Sequence, residues 1–315
     1  MEKIRLGISA CLLGQNVRYD GGHQLDRFLR DTLGKFVDYV PVCPEVEMGL
    51  PIPRETLRLI QSPEGPRLVF SRSGEDVTER MTAWAQKRLS ALEKEDLCGF
   101  IFKGRSPSSG MERVKLYDRF GVPAKTGVGL FASMFMAHFP LLPVEEDGRL
   151  HDPRLRENFI EAIFTFRRWR DLLAAGATSA ALVAFHARHK LLFMSHSVEL
   201  ARQMGRLMAQ AGELPNNRLQ EDYQQLLMQT VRILATPAKH SNVLQHALGY
   251  FKRQLSGDEK HEMLQLIEQY RQGKVPLAVP LTLLNHYVRK YQPPWLDEQI
   301  YLHPHPVELH LRSGM

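Results

Sequence analysis

Cys11 and Cys43 each stand directly after a short apolar run, Arg5-Leu6-Gly7-Ile8-Ser9-Ala10 in one case and Tyr39-Val40-Pro41-Val42 in the other. Both runs have the length and composition of buried strands. In a parallel sheet the carboxyl ends of the strands open onto the crevice where ligands bind, so the two thiols converge on one site. Thiols so placed are soft donors for a metal centre; the plain alternative is that they are small hydrophobes packed under a loop. A third run, Gly99-Phe100-Ile101-Phe102-Lys103, delivers the turn-rich Gly104-Arg105-Ser106-Pro107-Ser108-Ser109-Gly110 to the same edge. Cys98 lies at the far end of that run, roughly 15 Å or more away at ~3.3 Å per residue, and is expected in the core. Any third ligand position therefore belongs to the loop. There the chain offers Ser109, a poor ligand for soft metals.

These residues need a scaffold, and the first half supplies one by alternating strands with helical patterns. Asp38 interrupts Phe36-Val37, which places the second strand at 39–42. A helix is expected over Val77 to Glu95, opened by Ser73-Gly74, with Met81, Trp84, Ala85, Leu89 and Leu92 on one side. Such alternation over about 145 residues implies a mostly parallel sheet with helices on its faces. Pro143 to Pro153 is the expected junction, with Glu145-Glu146-Asp147-Gly148 as its exposed turn. Beyond it the pattern is helical throughout: the segment around Phe159 to Phe166, then Thr178 to Met208, Arg218 to Leu234, Ser241 to Gln254, Asp258 to Tyr270 and Leu277 to Tyr291. The expected class is an α/β N-terminal domain with a mostly parallel sheet, residues 1–147, followed by an all-α C-terminal domain, residues 148–315.

Composition is that of a globular protein, 43% hydrophobic and 24% charged, which excludes disordered and collagen-like chains. Three cysteines are too few for a disulfide framework. The start passes from two charges into a short apolar run without a secretory stretch, and no segment approaches the ~18 apolar residues of a membrane span, so the expected location is cytoplasmic. The net charge of +6 is uneven: residues 1–147 carry 20 basic and 20 acidic side chains, whereas residues 148–315 carry 21 and 15. That asymmetry suggests a polyanion, most plausibly nucleic acid, as partner of the second half; a solubilising surface is the alternative. Arg167-Arg168-Trp169-Arg170 interleaves basic groups with an aromatic, a pattern suited to phosphate contact and base stacking. His186, His189 and Lys190 share one helical face and are candidate RNA contacts. A metal on His186 and His189 would lack a third ligand at suitable spacing.

Four ordered motifs carry a family resemblance. Ile8-Ser9-Ala10-Cys11-Leu12-Leu13-Gly14, Arg18-Tyr19-Asp20-Gly21-Gly22, Cys43-Pro44-Glu45-Val46 with Gly49-Leu50-Pro51-Ile52-Pro53-Arg54, and Arg105-Ser106-Pro107-Ser108-Ser109-Gly110 resemble the thiouracil desulfidase (TudS-type) family over about residues 4–140. Glu146-Asp147-Gly148-Arg149-Leu150, Arg156-Glu157-Asn158-Phe159 and Phe185-His186-Ala187-Arg188-His189-Lys190 resemble the YbgA-like domain. Joined in this order, the two resemble bacterial desulfidases that remove sulfur from 4-thiouridine in tRNA.

The resemblance implies a 4Fe-4S cluster held by three thiolates, with one iron open to the substrate sulfur. Cys11 and Cys43 match two ligand positions. The third departs, because the family's Ser-Pro-Ser-Cys-Gly is Ser106-Pro107-Ser108-Ser109-Gly110 here. An alteration at 109, ligation through the Ser109 oxygen, and substitution by Cys98 are the alternatives. The intact remainder of the motif favours the first, with weakened or lost cluster and activity as its consequence. Glu45 matches the general base and Ser106 the second catalytic residue, while Arg18, Lys103, Arg105 and Ser108 are expected around the substrate. Glu45 paired with Arg54 or capping a turn, and the serines simply forming turns, are the plainer readings. Desulfidation of free thiouracil bases and a non-catalytic iron-sulfur RNA-binding sensor are the rival functions.

Overall fold

A computed structural model describes residues 3–313. The chain divides into two compact units, one ending at His151 and one beginning at Asp152. In the first, the elements run β1 (Ile4–Ser9), β2 (Val37–Val42), α1 (Pro44–Glu47), β3 (Leu57–Ser62), β4 (Gly65–Phe70), α2 (Thr78–Glu93), β5 (Phe100–Phe102), β6 (Val114–Tyr117), β7 (Pro123–Gly127), α3 (Leu130–His138) and β8 (Val144–Glu146).

β1, β2, β5 and β8 form a sheet in the order β2-β1-β5-β8, parallel at every pairing. The chain leaves β1 for β2 on one side and later returns to β5 on the other, so the strand order reverses at the β1/β5 boundary, where open parallel sheets leave a crevice. Leu6, Ile8, Phe100, Ile101 and Phe102 are buried in its core, as are Phe131 and Phe135 of α3. The Phe100 ring lies 4.4 Å from that of Phe102 and 4.6 Å from that of Phe135. Each such ring contributes about 1.5–3 kcal/mol by leaving water. Gly7 permits this packing, since a Cβ there would come 2.2 Å from Phe100 Cδ2.

Three expectations need correction. β2 begins at Val37, because Asp38 points outward, 3.6 Å from Lys3, and interrupts nothing. Glu145 and Glu146 are buried in β8, the edge strand of the parallel sheet, and do not form an exposed turn. A second sheet, β4-β3-β6-β7, is mixed and was not foreseen. Its strands interleave Arg58, Pro66, Arg67 and Lys125 with few buried residues, so they lack the apolar runs that mark β1 and β5.

The second unit is helical: α4 (Pro153–Ala174), α5 (Ser179–His196), α6 (Val198–Ala209), α7 (Asn216–Arg232), α8 (Pro237–Leu248), α9 (Gly257–Arg271), α10 (Ala278–Tyr291) and α11 (Pro294–Asp297). Asp152 caps α4 by accepting from the Arg154 and Leu155 amides, and Ser256 forms a capping box with Glu259. The segment expected as one helix over 178–208 is two. Ser197 turns to extended backbone (φ −158°) and its side chain caps α6 through the Leu200 amide, which competes with helix continuation. No helix among the described residues is long and apolar enough to cross a membrane.

The fold depends on one close contact beside the crevice. A Cβ on Gly129 would lie 2.6 Å from the Ser108 carbonyl carbon and oxygen and 2.7 Å from the Ser109 amide nitrogen. These are backbone atoms that cannot swing aside. Gly129→Ala is expected to cost about 1–3 kcal/mol, seen as a lower urea midpoint; an unchanged midpoint would contradict this packing.

Candidate functional site

The carboxyl ends of β1, β2 and β5 meet at a cavity of about 380 Å³ lined by Cys11, Cys43, Glu45, Lys103, Ser106 and Ser109, among others. Cys11 lies in the single 3₁₀ turn after β1, and Cys43 directly precedes α1. Both thiols therefore face one space, as the strand-end argument requires. Cys98 is fully buried, and its amide donates to Arg5 O (2.9 Å) at the opposite end of β1, so it is a core residue.

Pro44 opens α1 and places Glu45 in its first turn. Glu45 Oε1 accepts a hydrogen bond from Ser108 Oγ at 2.6 Å, while Oε2 is 3.6 Å from Cys43 Sγ. Arg54 does not pair with Glu45; its guanidinium donates to Val17 O and Pro51 O. Ser106 Oγ accepts from the Ser108 and Ser109 amides (3.3 and 3.2 Å) and lies 3.0 Å from Ser108 Oγ. Ser106 thus shapes the loop and faces the cavity, and the hydroxyl that touches the carboxylate is that of Ser108. Ser108, expected against the substrate, is fully buried behind Glu45.

The loop is clamped from two sides. Asp147 accepts from the Gly104 amide and from Lys103 Nζ, both at 2.7 Å, and Glu146 accepts from the Met111 amide at 2.7 Å. On the other side the first amides of α3, which have no partner within the helix, are taken up by loop carbonyls: Leu130 N donates to Pro107 O and Ala132 N to Ser108 O, each at 3.1 Å. Sequence reasoning missed Asp147, Glu146 and Gly129; the acids could have been found as the end of an apolar run of strand length, Leu141-Leu142-Pro143-Val144.

Arg18, Lys103, Arg105 and Arg54 line the cavity and give it a cationic rim. Arg18 is 3.5 Å from Asp20 and stacks over Tyr19. Burial pushes the Cys11 thiol up to about 11 and the Cys43 thiol up to about 12, the nearby Glu45 carboxylate adding to both and Lys103 opposing the rise at Cys11. The Ser109 hydroxyl lines the same wall, 3.4 Å from Ser108 Oγ.

In the helical unit only some of the expected RNA contacts are internal. His186 and His189 are buried, and desolvation lowers them to about 4 and about 3, so they are neutral packing residues and not phosphate contacts. Trp169 is fully buried and donates to Gln224 Oε1 at 2.8 Å, which removes it from base stacking. Arg168 is drawn inward, bonds Pro304 O, and is lowered by burial to about 10. Arg167 pairs with Asp171 at 2.7 Å, Arg170 lies 4.8 Å over the Phe166 ring, and Lys190 is exposed.

Residues 6–147 match a family model described as 2-thiouracil desulfurase, and residues 190–306 match one described as a protein of unknown function (DUF1722). The uncharacterized YbgA of Escherichia coli (strain K12) is 33% identical over 164 residues, 51% of this chain and 96% of that protein. The uncharacterized YbbK of Bacillus subtilis (strain 168) is 34% identical over 111 residues, 33% of this chain and 71% of its own length. A solved structure described as a 4Fe-4S-dependent thiouracil desulfidase, TudS, aligns at 32% identity with a TM-score of 0.39, covering 48% of this chain and 95% of that one.

The raised thiols have a direct chemical consequence. At pH 8 a thiol of pKa about 11 is ionised in about one molecule in a thousand. Iodoacetamide labelling of Cys11 and Cys43 in metal-free protein should therefore keep accelerating above pH 9, and Glu45→Gln should speed labelling of Cys43. A plateau below pH 9 would show that the thiols are not desolvated as described.

Proposed function

We propose that this chain, which belongs to the family of Escherichia coli YbgA and carries a 2-thiouracil desulfurase domain over residues 6–147, exchanges the sulfur of a thiolated uracil for oxygen. The overall change adds water at the thiocarbonyl carbon and releases hydrogen sulfide, with no net transfer of electrons. The observation that carries this reading is the convergence of two strand-end thiols and a hydrogen-bonded carboxylate on one cavity wall.

A 4Fe-4S cluster suits this donor set in part. Cys11 and Cys43 would hold it as thiolates, and Ser109 stands at the third position with an oxygen, a harder and weaker donor for iron. The cationic centre would offset the burial that keeps both thiols protonated. When bound, it supplies a Lewis acid for the thiocarbonyl sulfur. Glu45 takes the proton from the attacking water, using Oε2, because Oε1 is occupied by Ser108. Ser108 is thus a positioning residue, and Ser106, facing the cavity one hydroxyl further out, orients the water or the base. Arg18, Lys103 and Arg105 hold the charge of a nucleotide substrate at the rim.

The finer reading is that the substrate is 4-thiouridine in tRNA, presented by the helical unit. The basic excess of residues 148–315 supports it. With His186, His189 and Arg168 turned inward, the electrostatic contribution rests on surface groups such as Lys190.

Anaerobic reconstitution followed by the loss of thiouracil absorbance tests the chemistry. Glu45→Gln should lower turnover about 10²–10⁴-fold at unchanged iron content, and Ser109→Cys should raise iron and sulfide content together with turnover. Intact iron content with no turnover in the Ser109→Cys protein would overturn the reading. Faster turnover on thiolated tRNA than on free 4-thiouracil, with affinity falling steeply with salt, is expected; equal rates and a flat salt response would assign the free base instead.

A further inference from the structure

The helical unit contains a second cluster of ionisable side chains that the thiol cavity does not use. Glu157 and Glu161 are spaced i, i+4 on α4 and so lie on one face. Glu161 is 1% exposed, and both carboxylates line a cavity of about 370 Å³ together with Arg312, His240 and Tyr270. One guanidinium serves the two acids: Arg312 Nε reaches Glu157 Oε1 at 2.8 Å, Nη2 reaches Glu161 Oε1 at 2.6 Å, and Nη1 donates to Tyr301 O at 2.6 Å. The two carboxylates share this guanidinium's positive charge, and Glu161 Oε2 also stands 3.3 Å from His196 Nε2.

Three atoms of this cluster lack hydrogen-bond partners: Glu161 Oε2, His196 Nε2 and His305 Nε2. His305 Nδ1 faces Pro306 O at 3.3 Å, so the proton of a neutral ring resides there and Nε2 keeps its lone pair. The His305 segment is itself anchored, because Arg168 bonds the carbonyl of the preceding residue, Pro304. His196 Nδ1 lies 2.7 Å from Ile233 O, and its Nε2 stands 3.3 Å from Glu161 Oε2. Buried polar atoms set this close hold a proton between them or a cation beside them.

We propose that Glu157, Glu161 and His305 form a site for a divalent first-row metal ion in the helical unit. One ligand atom from each lies within 4.8 Å of the others, the only such group of three or more among the described residues. An ion with bond lengths of ~2.0–2.2 Å to oxygen and nitrogen draws them together. Two carboxylates and one imidazole suit manganese, iron or zinc. The ion would satisfy Glu161 Oε2 and His305 Nε2 and bring further positive charge to the two carboxylates. This assignment is independent of the desulfidation reading, since it uses neither thiol.

Manganese(II) is the suitable probe, because oxygen and nitrogen donors bind it in preference to the thiols of Cys11 and Cys43. The full chain, stripped with chelator and titrated with Mn²⁺, should remove close to one equivalent of the free-ion electron paramagnetic resonance signal. His305→Gln should weaken that binding about tenfold or more without changing the thermal midpoint of the metal-free protein. Glu161→Gln should abolish it, and the retained circular dichroism of His305→Gln keeps the test valid if the Glu161 variant does not fold. An undiminished free-ion signal with wild-type protein, or unaltered affinity in His305→Gln, would overturn the proposal and leave a proton as the balancing cation.

Discussion

The hydrogen bond from Ser108 to Glu45 joins segments 63 residues apart in the chain and decides what the thiol cavity can do. A carboxylate on a four-residue helix is free to rotate; one that accepts a 2.6 Å bond from a buried hydroxyl is not. With Oε1 held, Oε2 is left beside Cys43, 3.6 Å from its sulfur, on a residue that lines the cavity. The bond in turn requires the serine loop to keep its place, and this explains the amount of structure committed to it. Asp147 and Glu146 hold its flanking amides from the edge strand, and the free amides of α3 hold its carbonyls. Gly129 allows the helix to approach the loop backbone closely enough to do so.

Burial of the thiols follows from the same arrangement. Drawing three strand ends and a clamped loop around a small space removes water, and removing water disfavours thiolate. The raised thiols are a cost the apo cavity carries and a bound cationic centre would remove. Ser109 shares the cavity wall with the two thiols but matches a thiolate in neither charge nor softness.

Much of this was legible in the residues. Apolar runs ending in Cys11, Cys43 and the serine loop located the crevice, because buried parallel strands are continuous hydrophobic segments and their order of appearance follows the topology. Cys98 was separable from the other two by strand length alone. The mixed sheet was not legible, because strands with one polar face and charged residues at alternate positions resemble loops. Glu146 and Asp147 were misread for a related reason: acids in a row signal an exposed turn unless each has an amide or cation to serve, and the amides of Gly104 and Met111 are supplied by residues more than 30 positions away. Long-range satisfaction of buried acids cannot be read from local pattern.

The helical unit teaches the complementary lesson about charge. A sequence excess of basic groups and histidines suggested a nucleic-acid face, yet His186, His189, Arg168 and Arg312 are turned inward, where they are either neutralised by desolvation or bound to carbonyls and carboxylates. Arg312 is nevertheless the one buried arginine or lysine among the described residues of this unit, and it is buried together with two acids, so the basic excess itself stays at the surface, Lys190 among its members. The interior, by contrast, holds an acid pair on one helix face that shares a single arginine, and a bound cation would act there, apart from the charge on the exterior.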